Sequence, residues 1–89
     1  MRSLRGLIVC EDPDLRARIH ELLLESGEVY PELALQRFPQ YGEAARHLNL
    51  CRPEVVLVAI DCLREVVDFI GVVETIAPGA AVIAVSRLQ

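Results

Sequence analysis

Short apolar runs alternate along this chain with longer stretches of helical spacing. Leu7-Ile8-Val9-Cys10, bounded by Gly6 and Glu11-Asp12-Pro13, has the length and β-branching of a buried strand. Asp12-Pro13 then reads as an N-cap followed by proline at the first helical position, where no amide donor is needed. Leu15, Ile19, Leu22 and Leu23 fall on one helical face, and Gly27 ends that helix near Ser26. Between Glu28 and Pro39, Leu33, Leu35 and Arg37 alternate with Ala34, Gln36 and Phe38, as in a half-exposed strand. Tyr41 to Asn49 reads as a second helix, with Tyr41, Ala44, Ala45 and Leu48 on one face. Val55 to Ile60 is the clearest strand, a continuous apolar run that implies burial on both faces. Leu63 to Ala77 is a third helix stopped by Pro78-Gly79, and Ala80 to Val85 is the last strand. The order βαβαβαβ predicts a doubly wound α/β domain on a parallel sheet.

The third helix carries more apolar surface than one seat requires. Its apolar arc runs from Val72 through Ile76, Phe69, Val73, Val66 and Ala77 to Ile70. That arc is roughly 160°, against the ~100° of a core-facing helix. Either the helix sits deep on the sheet, or the flank of Phe69, Val72 and Ile76 meets a partner.

Composition narrows the class. The chain has 89 residues, 53% hydrophobic and 25% charged, so it is one small folded domain and not a disordered tail. Its net charge is −4, and all nine basic residues are Arg without any basic cluster, so no nucleic-acid footprint is visible. The run Val55–Ile60 is far short of the ~20 residues that span a bilayer. Only five residues separate Arg5 from Glu11, which leaves no room for a secretory h-region. Cys10, Cys51 and Cys62 are odd in number and lack CxxC spacing. This argues against a disulfide scaffold or zinc site and for a reducing cytoplasm.

Candidate chemistry gathers where ligands sit in open α/β sheets, at the carboxyl ends of the strands. Those ends carry Cys10-Glu11-Asp12, Ala59-Ile60-Asp61-Cys62 and Ser86-Arg87. Glu11 and Asp12, Asp61 and the Ser86 hydroxyl could form a Mg²⁺ and phosphoryl site, since Mg²⁺ needs only one or two carboxylates. Each also has a plainer role. Glu11 and Asp12 suit the positive end of the first helix, and Asp61 suits the cap of the third. His20 and His47 read as solvated helix positions, and the cysteines as small buried hydrophobes. Ser86 lacks a G-x-S-x-G turn and an evident base, which excludes a hydrolase of that type.

The pieces Leu7-Ile8-Val9-Cys10-Glu11-Asp12-Pro13-Asp14-Leu15-Arg16, Arg52-Pro53-Glu54-Val55-Val56-Leu57-Val58, and Ala77-Pro78-Gly79 leading to Val82-Ile83-Ala84-Val85-Ser86 stand in a telling order. Together they resemble the receiver domain of bacterial response regulators, over nearly the whole chain. The resemblance implies a flavodoxin-like, CheY-like sheet of order 2-1-3-4. It implies an acidic Mg²⁺-binding pair after the first strand, matched by Glu11 and Asp12 if one residue is lost, or by Cys10 and Glu11 without a gap. The family's phosphoacceptor position, counted from Pro53, falls on Ala59, with Asp61 two residues later. Ser86 matches the switch hydroxyl, Arg87 stands where the family keeps a small residue, and the family's catalytic Lys has no counterpart.

These departures make a non-catalytic pseudo-receiver the expected reading. The expected partners are another protein or a second copy, through the flank of Phe69, Val72 and Ile76 or through strand 80–85. The family's fifth strand and last helix are missing or lie outside this chain; if the chain ends at Gln89 the last strand would be an open edge, which implies a homodimer or a further C-terminal segment that shields it. The alternative is a working receiver that accepts phosphate at Asp61, with Mg²⁺ at Glu11 and Asp12. The chain also resembles the atypical receivers that open pilus-assembly ATPases of the TadZ/CpaE type, which implies a possible ATPase or effector domain after residue 89.

Overall fold

In a computed structural model of the chain, residues 3–60 and 63–86 are described. The elements are β1 (Leu4–Val9), α1 (Pro13–Ser26), β2 (Val29–Leu35), α2 (Tyr41–Cys51), β3 (Val55–Ala59), α3 (Leu63–Ile76) and β4 (Ala81–Val85). All strand pairs are parallel and the sheet order is β2-β1-β3-β4. The expected doubly wound, CheY-like βαβαβαβ fold is therefore present.

Alternating side chains of the sheet feed two cores. Leu7, Val9, Val56 and Val58 pack with Ala44, Leu48, Val66, Phe69 and Val73 from α2 and α3. Ile8, Cys10, Val55, Leu57 and Ala59 pack with Ile19 of α1, and Leu15 and Leu23 close over them. Every residue of β3 is buried, because helices lie on both of its faces. Each fully buried Val or Leu in these layers contributes ~1.5–3 kcal/mol.

Local chemistry sets the helix ends. Asp12 Oδ1 accepts from the amides of Asp14 and Leu15 at 2.8 and 3.1 Å, capping α1 ahead of Pro13. Gly27 ends α1 in the left-handed conformation at φ 72°, as its lack of Cβ permits. Arg52 ends α2 the same way at φ 49°, and Pro53 prevents the helix from continuing. Its carbonyl accepts from Arg5 Nε at 2.9 Å, which ties this turn to the start of β1.

Several details differ from the periodic reading. β1 begins at Leu4 and so contains Gly6, and Ile60 lies past β3 and is exposed. β2 covers Val29–Leu35 and bends away after it, so Arg37 and Phe38 lie past the strand. Pro31 is tolerated inside it because β2 is an edge strand, and the register slips beside it so that Glu32 is skipped. Leu22 is 53% exposed, because the sheet-facing line of α1 is Leu15, Ile19 and Leu23. Tyr41 is 61% exposed, because α2 turns Ala44, Leu48 and Cys51 inward and leaves its first residue outside that line.

α1 packs chiefly over β2 and β1. Ile83, paired in register with Leu57, is 48% exposed. β4 is an edge of the described sheet, apolar throughout, as expected for the last strand. No helix among the described residues is long and apolar enough to cross a membrane.

Candidate functional site

The carboxyl ends of β1, β3 and β4 meet at one rim of the sheet. β1 and β3 pair Val9 with Val58, so Cys10 and Ala59 follow side by side. β3 and β4 pair Ala59 with Val85, and the amide of Ile60 donates to the Val85 carbonyl at 2.9 Å. Ser86 comes next on β4 and is exposed.

Cys10 is fully buried at this rim, with its thiol donating to the Asp12 carbonyl at 3.4 Å. Arg16 reaches back from α1, and its Nη1 donates to the Cys10 carbonyl at 2.9 Å. This guanidinium contact was not legible from spacing alone, although Arg16 sits one helical turn into α1. Glu11 points to solvent, and Asp12 is half-buried with one carboxylate oxygen engaged in the α1 cap. At the end of β3, Ala59 is 2% exposed and belongs to the α1-side core. Asp61, Cys62 and Arg87 lie outside the described residues.

Cys10 directly follows β1, and Glu11 and Asp12 lie between it and Pro13, the first residue of α1. Among the described residues, Glu11 and Asp12 are the carboxylates that follow it in the chain, and Asp12 Oδ1 already takes two amides. No group of three His, Cys, Asp or Glu side chains comes together as a metal site among the described residues.

The flank of α3 resolves into two separate places. Phe69 is 3% exposed and meets Phe38 edge-to-face, with ring centroids 5.7 Å apart and planes at 66°. With Val72 it lines a cleft of about 440 Å³ that opens toward Tyr41 at the start of α2. Ile76 lines a different hollow at the opposite end of the sheet, beside Arg5, Leu48 and Arg52. There Arg5 Nη1 lies 3.7 Å from Glu54 Oε1, a partly exposed ion pair worth little in water. Spacing puts Tyr41 on the same helical face as Ala44, Ala45 and Leu48, which does not reveal the cleft. Its signal was the aromatic and proline cluster of Phe38, Pro39 and Tyr41 at a helix start.

Cys51 is buried at the end of α2. Burial pushes its thiol pKa up, helped by the negative charge of Glu32 and opposed by Arg5. It is held as the thiol at neutral pH, which suits packing and not nucleophilic attack.

No protein-family model and no curated protein matches this sequence. Solved structures do. The response regulator domain of CheB from Thermotoga maritima superposes with a TM-score of 0.77 at 18% identity, over 98% of this chain and 63% of that one. A LuxR-family two-component response regulator from an Aurantimonas species superposes with a TM-score of 0.70 at 14% identity, over 99% and 61%. The chain spans less than two thirds of the length of either structure. At these identities the likeness is one of fold, and the fold, with three helices on a parallel sheet of order 2-1-3-4, is that of response-regulator receiver domains.

Proposed function

We propose that the chain is a pseudo-receiver, a protein-association or localisation module on the cytoplasmic side that accepts no phosphoryl group. One observation carries the reading. The side chain that closes β3 is the buried methyl of Ala59, at the position where the receiver pattern places its acceptor carboxylate. Cys10 beside it is a buried thiol, and among the described residues Asp12 of the same rim serves as a helix cap. The Ser86 hydroxyl then has no phosphoryl group to follow, and the work falls to surfaces. Those surfaces are the α3 flank at Val72 and Ile76, over Phe69, and the apolar edge β4, which suits a protein partner or a second copy. The resemblance to the TadZ/CpaE receivers favours localisation of a following ATPase domain as the setting.

The test is intact-mass measurement after incubation with acetyl phosphate and Mg²⁺. The expected result is no adduct. A phosphoryl adduct that disappears in Asp61→Asn overturns the reading and makes Asp61 an acceptor with Mg²⁺ held near Glu11 and Asp12.

A further inference from the structure

We propose that the cleft between the start of α2 and the outer flank of α3 seats a basic amphipathic segment of a partner protein, an inference that rests on the association role above. The cleft is built from two kinds of side chain. Phe38, Phe69 and Val72 give it an apolar lining, and Tyr41 lines it while remaining 61% exposed. An exposed aromatic beside packed apolar groups is the makeup of an anchor pocket. Glu65 and Asp68 line the same cleft and are both exposed. With Phe69 and Val72 they follow one another at i, i+3, i+4 and i+7, so a single face of α3 presents acid and apolar groups together. Neither carboxylate has an ion-pair partner among the described residues.

Charge selects the occupant. An acidic segment would meet Glu65 and Asp68 with like charge, whereas Lys or Arg would pair with them. A second copy docked about a two-fold axis would set these carboxylates against their own counterparts, in a chain of net charge −4. Shape selects a segment over a small molecule. The cleft adjoins a hollow of about 580 Å³ that shares Phe38, Pro39 and Gln40 with it and is also lined by Arg37 and Glu43, so an extended segment has surface to follow past the start of α2. One aromatic or long aliphatic side chain fills the space by Tyr41 and Val72, and flanking basic residues meet Glu65 and Asp68.

The experiment is display selection of short randomised peptides against the whole chain, followed by affinity measurement with the enriched peptides. The variants are Glu65→Lys with Asp68→Lys, and Tyr41→Ala, all at exposed positions where the fold is not at stake. The expected peptides carry Lys or Arg around one large apolar residue. Their affinity falls about tenfold in each variant and weakens with salt, and amide shifts map to the start of α2 and to α3. Failure to enrich any peptide, enriched peptides without basic residues, or affinities unchanged in both variants overturns the proposal. Peptides that bind another face overturn the cleft and leave the association role standing. A phosphoryl adduct at Asp61 removes that role itself.

Discussion

A Cβ placed on Gly6 would stand 2.6 Å from Val29 Cγ1 and 3.3 Å from the Tyr30 carbonyl oxygen. β1 and β2 approach this closely where the register slips beside Pro31. Val29 is β-branched, so its methyl cannot swing far aside, and the second obstacle is backbone. Gly6→Ala is expected to destabilise the chain by about 1–3 kcal/mol, as overpacking does. Adding Val29→Ala removes the nearer obstacle and recovers part of that loss. Urea unfolding of the two single variants and the double variant measures the coupling, and additive losses would show that the contact is not the cause.

Arg52 holds a left-handed backbone at φ 49°, a region that costs a residue with a side chain ~1 kcal/mol or more. Nothing in its position requires the guanidinium, because the contact that ties the turn to β1 uses the Arg52 carbonyl, and Arg5 is the donor. Arg52→Gly is therefore expected to raise stability by about 0.5–1 kcal/mol, with the entropy of the unfolded glycine taking back part of the gain. A midpoint that falls in thermal or urea unfolding counts against this.

Neither the close approach at Gly6 nor the left-handed Arg52 was legible in the sequence, whereas much of the fold was. The buried run of β3, the Asp12-Pro13 start and Gly27 end of α1, and the strand order needed only local pattern and the resemblance. The bounds of β2 did not follow. Alternation favoured Leu33 to Phe38, while the strand follows the edge position that accommodates Pro31 and a slipped register. Spacing puts Tyr41 and Leu22 on the apolar faces of their helices, yet each lies just off the line its helix turns inward. At the sheet rim, the sequence located Cys10, Glu11, Asp12, Ala59 and Ser86. That Asp12 is occupied as a cap and Cys10 is packed away are facts of three-dimensional contact.

Cys51 gives the chain a stability change on the alkaline side. Its native pKa lies above the ordinary value of 9.0 because the thiolate would be desolvated and near Glu32. The unfolded chain loses this proton first, so the stabilising difference is complete below that ordinary value. It fades as pH rises toward the native pKa. Unfolding free energy is expected to decline above about pH 9, with the decline reduced in Cys51→Ala. Thiol labelling at pH 8 should likewise be slow in the native chain and fast in denaturant. Equal labelling rates in both states would contradict the burial that underlies the shift.

Asp12 separates the two readings of the sheet rim, because a cap and a metal ligand respond differently to substitution. As a cap, its Oδ1 serves the amides of Asp14 and Leu15, a role that a serine hydroxyl or asparagine amide oxygen also fills. Asp12→Ala is expected to lower stability by about 1 kcal/mol, while Asp12→Asn and Asp12→Ser stay within a few tenths of the parent. Added Mg²⁺ should leave the unfolding midpoint of the parent unmoved if Asp12 acts as a cap and not as a ligand. The contrary pattern is equally sharp. If Mg²⁺ raises the midpoint of the parent and not that of Asp12→Asn, the carboxylate charge and not the cap geometry matters. The rim would then retain the metal chemistry that the buried Ala59 and Cys10 argue against.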